Sequence, residues 1–194
     1  PRKVGVEIEF AGLTEEATAR LACDRLGGRS EADGPHGLRV RDTQIGDLKI
    51  VLDTALRKYG DNRLVDAGLD AARGLVPVEI VTAPLDHEQL HQLDQFRAAL
   101  CEAGAIGTAD GALLGFGVHF NVEVVALDHP VTRATILAFA LAEDWLRRIG
   151  PLAVPRRLLP FVDPWPRAFL DALEDDPNGL TAPNIGALYA HHCN

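Results

Sequence analysis

The chain has 194 residues, 47% hydrophobic and 24% charged, which is enough to bury a sizeable core. Its formal net charge of −9 argues against a nucleic-acid-binding surface, which needs a basic stripe. The apolar run at 136–142 is too short to span a bilayer, and Cys23, Cys101 and Cys193 have neither disulfide nor zinc spacing, so no membrane partner and a reducing cytoplasm are expected.

The first strand is expected at residues 3–10, around Val4-Gly5-Val6-Glu7-Ile8-Glu9-Phe10. Side chains alternate along a strand, so Val4, Val6, Ile8 and Phe10 face one way and Glu7 and Glu9 the other. A helix follows over 14–26, with Thr14 as N-cap, Ala17, Leu21 and Leu26 on one side, and Gly27-Gly28 as the stop. Residues 29–37 read as a polar turn region. Residues 38–41 and 48–53 read as a hairpin around 42–46, with Leu48, Ile50 and Leu52 buried and Lys49 and Asp53 outward. A short helix is expected over 62–73, capped by Asp61 and ended by Gly74.

The strand at 76–82 puts Val76, Val78 and Ile80 on one face and Glu79 on the other, and ends at Ala83-Pro84. The helix at 86–103 opens with Asp86 and Gln89 spaced as a capping box. Leu90, Leu93, Phe96, Arg97 and Leu100 supply its stripe, and Gly104 stops it. A Gly-rich lead at 111–117 enters a strand at 118–126, where Val118, Phe120, Val122 and Val124 lie opposite His119, Asn121 and Glu123. Pro130 suits the first position of a helix over 131–149, whose middle is apolar nearly all round and is expected to be buried. The Pro-rich remainder has one expected helix, 165–173. The order of elements lacks a βαβ rhythm. It indicates one α+β domain over 1–194, with a curved antiparallel or mixed sheet backed by helices.

Sharing of one sheet by these strands would bring Glu7, Glu9, Glu79, His119 and Asn121 together. Alternation alone is what any half-buried sheet shows. The outward residues are informative because they are acidic, with His and Asn beside them, where solvated faces favour Thr, Lys and Arg mixtures. Neighbouring carboxylates raise one another's pKa unless a cation is present, and oxygen ligands with one imidazole suit Mg²⁺ or Mn²⁺. The plainer alternatives are a Glu79–arginine salt bridge and a His119 hydrogen-bonded to a neighbour, with a bulge at Gly115 and Gly117. Arg39, Arg41 and Lys49 either balance the acidic strands or meet an anionic substrate. A Pro-pinned loop presents Arg156 and Arg157 to phosphate or carboxylate, or pairs them with surface Asp. No Ser or Cys arrangement supports nucleophilic catalysis, and Cys101 falls near a helix C-terminus, which does not lower a thiol pKa.

The ordered set Val4-Gly5-Val6-Glu7-Ile8-Glu9-Phe10, Asp47-Leu48-Lys49-Ile50-Val51-Leu52-Asp53, Val78-Glu79-Ile80-Val81-Thr82-Ala83-Pro84-Leu85 and Gly117-Val118-His119-Phe120-Asn121 resembles the amidoligase family. These are carboxylate–amine ligases related to glutamate–cysteine ligase and glutamine synthetase. The resemblance runs from Val4 to Pro166. It implies a glutamine synthetase-like partial barrel and an ATP- and Mg²⁺-dependent ligase. Such an enzyme moves a γ-phosphate to a small-molecule or peptide carboxylate, and an amine then attacks the acyl phosphate.

Carried over on the matching positions, Glu7, Glu9 and Glu79 are implied metal ligands, and His119 lies beside metal and nucleotide phosphates. Asn121 lines the nucleotide pocket, and Asp53 matches a family acidic position. Arg156 or Arg157 steadies phosphate or the substrate carboxylate. Family members continue past this point, so the chain is expected to be either a fragment truncated at its C-terminus or a shortened member whose barrel is incomplete; its start at Pro1 without any Met separately leads to the expectation that it is not the complete translated product. Rival readings are a catalytically incomplete nucleotide- or amino-acid-binding module of the same fold and, less favoured, a metal-dependent hydrolase.

Overall fold

The alternating segments form an open six-stranded antiparallel sheet in the computed structural model, which describes residues 1–34, 37–52, 77–108, 116–150, 163–175 and 180–193. In chain order the elements are β1 (Val4–Phe10), α1 (Glu15–Leu26), β2 (Arg29–Ala32), β3 (Gly37–Thr43), β4 (Gly46–Leu52), β5 (Val78–Thr82), α2 (His87–Glu102), β6 (Val118–Val122), α3 (Pro130–Ile149), α4 (Arg167–Asp175) and α5 (Ala182–His192). The strand order is β2-β3-β4-β5-β1-β6, with β2 and β6 as edges, and the sheet is curved and not closed. This is the expected α+β class, with the sheet antiparallel throughout. The chain divides into two compact units, Pro1–Glu123 and Val124–Asn194.

In the first unit one face of the sheet is the core. Val6, Ile8, Phe10, Val40, Leu48, Ile50, Val78 and Ile80 are buried there with Ala19, Ala22 and Leu26 of α1 and Leu93, Phe96 and Leu100 of α2. Burying each large side chain contributes about 1.5–3 kcal/mol, so this face fixes the register and with it the direction of every polar neighbour. Thr82 is the exception on the apolar face. Its hydroxyl accepts the Val6 N–H at 3.0 Å, supplying a partner in the core for a backbone donor.

The ends of α1 and α2 follow from local chemistry. Thr14 Oγ1 accepts the Ala17 N–H at 3.2 Å, and Gly27, at φ 76°, ends α1. Gly28 follows at φ +90°, where a Cβ would lie 2.2 Å from the Arg41 carbonyl oxygen. The Asp86–Gln89 capping box is formed reciprocally, at 2.9 and 3.0 Å.

Three expectations for this unit are corrected. Residues 29–32 form β2 and not a turn, because Arg29 pairs with Asp42 and Glu31 with Arg41. These ion pairs tie a stretch with no apolar face to its neighbour. The buried line of α1 is Thr18, Ala19, Ala22 and Leu26, rotated away from Ala17. Arg97 leaves the stripe of α2 and pairs at the surface with Asp94 at 2.7 Å. The expected helix at 62–73, Val76, Asp53 and Gly115 lie outside the described residues.

In the second unit, Ala140, Phe169, Leu173, Leu180 and Ile185 form a small core. Phe139, Trp165, Phe169 and Tyr189 follow one another edge to face, at centroid distances of 5.6, 5.0 and 6.0 Å. The middle of α3 is less enclosed than its composition suggests. Ala140 and Glu143 are buried, while Phe139 and Leu141 are 49% and 62% exposed. A second helix, α5, follows α4, capped by Thr181 and opened by Pro183. Among the described residues no helix is long and apolar enough to cross a membrane.

Candidate active site

The polar face of the sheet is organised by register. One row across the strands reads His119, Glu7, Val81, Lys49, Arg39 and Glu31, and the next places Glu9 opposite Glu79 and Glu79 opposite Val51. Directly opposed residues of an antiparallel pair have Cβ atoms about 4.5–5.5 Å apart, so the carboxylates of β1 and β5 are immediate neighbours.

Glu7 is the hub. His119 Nδ1 lies 3.0 Å from Glu7 Oε2, and Asn121 Nδ2 donates to Glu7 Oε1 at 3.0 Å. Both oxygens of one carboxylate are thereby held by two residues that stand two apart on β6. Gly5 lies opposite Asn121, so no side chain on β1 competes with the amide for the space beside Glu7. The Glu7 and His119 side chains are 29% and 49% exposed, open enough to meet a ligand.

Glu9 Oε2 accepts the Gly117 N–H at 3.1 Å, and the Glu9 N–H donates to the Gly117 carbonyl at 3.0 Å. The Glu9 side chain thus takes over the place of a ladder acceptor at the entry to β6. The sequence signalled Gly117 as a point of close approach but not this exchange.

Of the residues singled out from sequence, Glu7, Glu9, Glu79, His119 and Asn121 share this face on three adjacent strands. Arg156, Arg157 and Asp53 lie outside the described residues. Arg39 and Arg41 are committed within the sheet. Arg39 pairs with Asp33 at 2.9 Å, and Arg41 pairs with Glu31 and with Asp47, the latter at 2.9 Å. The hydrogen bond that Arg41 donates to Glu31, reinforced by the carboxylate's charge, raises the Arg41 pKa above its ordinary value. Asp47 also accepts the Asp42 N–H at 3.2 Å and so braces the β3–β4 turn. Burial pushes the Cys193 thiol up, the wrong direction for a nucleophile.

The chemistry of the donors, three carboxylates and one imidazole, fits a hard divalent ion. Their present arrangement is closed on itself. Among the described residues no group of three or more His, Cys, Asp or Glu is gathered as for a metal ion.

The family described as "Putative amidoligase enzyme" matches residues 1–194, and the chain belongs to it. No curated protein and no solved structure matches the chain.

Proposed function

We propose that this amidoligase is an ATP- and Mg²⁺-dependent enzyme that joins a small-molecule or peptide carboxylate to an amine through an acyl phosphate. Family membership implies the coarser part, a ligase that forms amide bonds. The observation that carries the finer part is the Glu7 carboxylate held between His119 and Asn121, on the face where Glu9 stands opposite Glu79.

Phosphoryl transfer asks a protein for positioning and charge neutralisation more than for a covalent nucleophile. Glu7, Glu9, Glu79 and His119 would hold Mg²⁺, which when bound neutralises phosphate charge and polarises the transferred group. The Glu7 contact at Nδ1 of His119 would orient the ring so that Nε2 is the nitrogen left for the ion. Asn121 offers an amide donor to the same pocket. A substrate carboxylate oxygen forms the bond to the γ-phosphorus as the bond to ADP breaks. The amine nitrogen then bonds to the acyl carbon, inorganic phosphate leaves with the bonding pair, and the nitrogen loses a proton to solvent.

The test is calorimetric titration with a non-hydrolysable ATP analogue with and without Mg²⁺, followed by ADP release over a panel of acids and amines. Mg²⁺-dependent binding and amine-dependent ADP release support the reading. Glu79→Gln should then abolish ADP release in a protein that melts normally, and full turnover in that variant would remove Glu79 from the site. The absence of a pre-gathered metal cluster among the described residues favours a second reading, a module that binds nucleotide or amino acid without turnover. Affinity with no ADP release from any acid–amine pair would select it.

A further inference from the structure

We propose that Lys49 is the docking point for a second anionic group on the acid substrate, so that the site takes acids carrying two carboxylates in preference to simple monoacids. This rests on the ligase reading for the identity of the reacting end, and on Lys49 itself for the other end.

The strands place four basic residues on the polar face: Arg29, Arg39, Arg41 and Lys49. Arg29 pairs with Asp42, Arg39 with Asp33, and Arg41 with Glu31 and Asp47. Lys49 is exposed, and its ammonium forms no ion pair or hydrogen bond with a described residue. It also stands directly opposite Arg39. Like charges in that position repel, and a chain of net charge −9 has carboxylates enough to relieve them. The neighbouring guanidiniums take theirs, and the ammonium takes none from a described residue.

Its position gives this vacancy a use. Lys49 lies in the same row as Glu7 and His119, with Val81 of β5 between them. Two strand spacings separate Lys49 from Glu7, about 10 Å at the backbone. The lysine stem spans part of that distance, and the interval left over Val81 suits a short carbon chain. Half-buried Val81 and Val51 provide an apolar floor for its methylenes. The acid whose reacting carboxylate lies at Glu7, Glu9 and Glu79 would then place a second carboxylate on the ammonium. A nucleotide phosphate is the other source of anionic oxygen, and the experiment separates the two.

Three- to six-carbon diacids, each against its monoacid and its mono-amide, are titrated into the full chain with Mg²⁺ and the ATP analogue present, and again without nucleotide. One diacid should bind about tenfold or more tightly than its single-carboxylate counterparts, the scale of a charge-assisted contact. Lys49→Met should erase that preference, Lys49→Arg should restore part of it, and affinity for the Mg²⁺–nucleotide analogue should stay within about twofold in both. A wild type without diacid preference overturns the proposal, as does a preference that survives Lys49→Met. Loss of nucleotide affinity in Lys49→Met assigns the ammonium to phosphate and overturns it too. Lys49-dependent diacid binding without nucleotide binding would sink the ligase reading and leave the subsite standing.

Discussion

Ile8 and Glu7 are adjacent in sequence and belong to opposite sides of the sheet, so paired substitutions there measure whether the site face is assigned correctly. Ile8 is 6% exposed, opposite Ile80 on one side and Val118 on the other, within the core of the first unit. Truncating a buried Ile costs about 2–5 kcal/mol from lost transfer and the cavity. Ile8→Asp adds a carboxylate with no donor among Val, Leu and Phe, a further penalty of several kcal/mol (roughly 2–7 for a polar group left without a partner). The sum, upwards of about 5 kcal/mol, reaches the whole stability of an ordinary domain. Glu7→Ala removes two hydrogen bonds from a partly exposed side chain and should cost about 1–2 kcal/mol. Urea unfolding followed by far-UV circular dichroism is the assay. Trp145 and Trp165 both lie in the second unit, so tryptophan emission would follow the wrong part of the chain. Ile8→Asp should be unfolded before urea is added, with Glu7→Ala close to wild type. An Ile8→Asp variant within about 1 kcal/mol of wild type would mean that the faces are reversed and that the acidic residues line the core.

Gly27→Ala should cost about 1–3 kcal/mol from its positive-φ backbone alone, and Gly28→Ala should cost more, because there the new Cβ also meets the Arg41 carbonyl oxygen. Thermal melts of the two variants make the comparison, and equal losses would contradict the close approach. Asp86→Ala should cost about 1 kcal/mol through loss of the α2 capping box, with Asp86→Asn retaining most of it in urea titrations. In the second unit Glu143 is buried, accepts from Arg147 at 2.9 Å and takes the Trp165 N–H at 3.0 Å. Glu143→Ala should therefore destabilise that unit by about 3 kcal/mol, seen as an earlier unfolding transition in tryptophan emission. An unchanged transition would show that the carboxylate contributes nothing net.

The parts of the fold legible in the sequence are those where one local force dominates. β1, β4 and β5 alternate because one face is core, and Thr14, Asp86 and Pro130 mark helix starts by satisfying or dispensing with exposed N–H groups. β2 was illegible because nothing in Arg29-Ser30-Glu31-Ala32 alternates in hydrophobicity. Its pairing depends on ion pairs with residues ten or more positions away. The burial of α3 was misjudged for a related reason: composition reports how apolar a helix is, not how many partners reach it, and Leu141 stays in solvent. At the site, strand parity gave the shared face of Glu7, Glu9, Glu79, His119 and Asn121. Parity is silent on which atoms bond, so neither the double use of Glu7 nor the Glu9–Gly117 exchange could be read in advance.

The two halves of the polar face handle charge differently, and this bears on where a ligand belongs. On β2, β3 and β4 the guanidiniums are answered by Asp33, Glu31, Asp42 and Asp47, so that half is largely neutralised by the chain itself. On β1 and β6 the partners are a primary amide, a backbone N–H and an imidazole. These orient Glu7 and Glu9, and no lysine or arginine among the described residues pairs with either. The donors restrict the freedom of Glu7 and Glu9 to turn away from one another. Carboxylates held in place in this way are what the proposed cation site would use. Lys49 on β4, without an ion-pair partner among the described residues, supplies the opposite sign two strands away in the same row. A ligand carrying both a metal-bound phosphate or carboxylate and a second anion would satisfy both ends at once. A simple salt ion would satisfy neither fully.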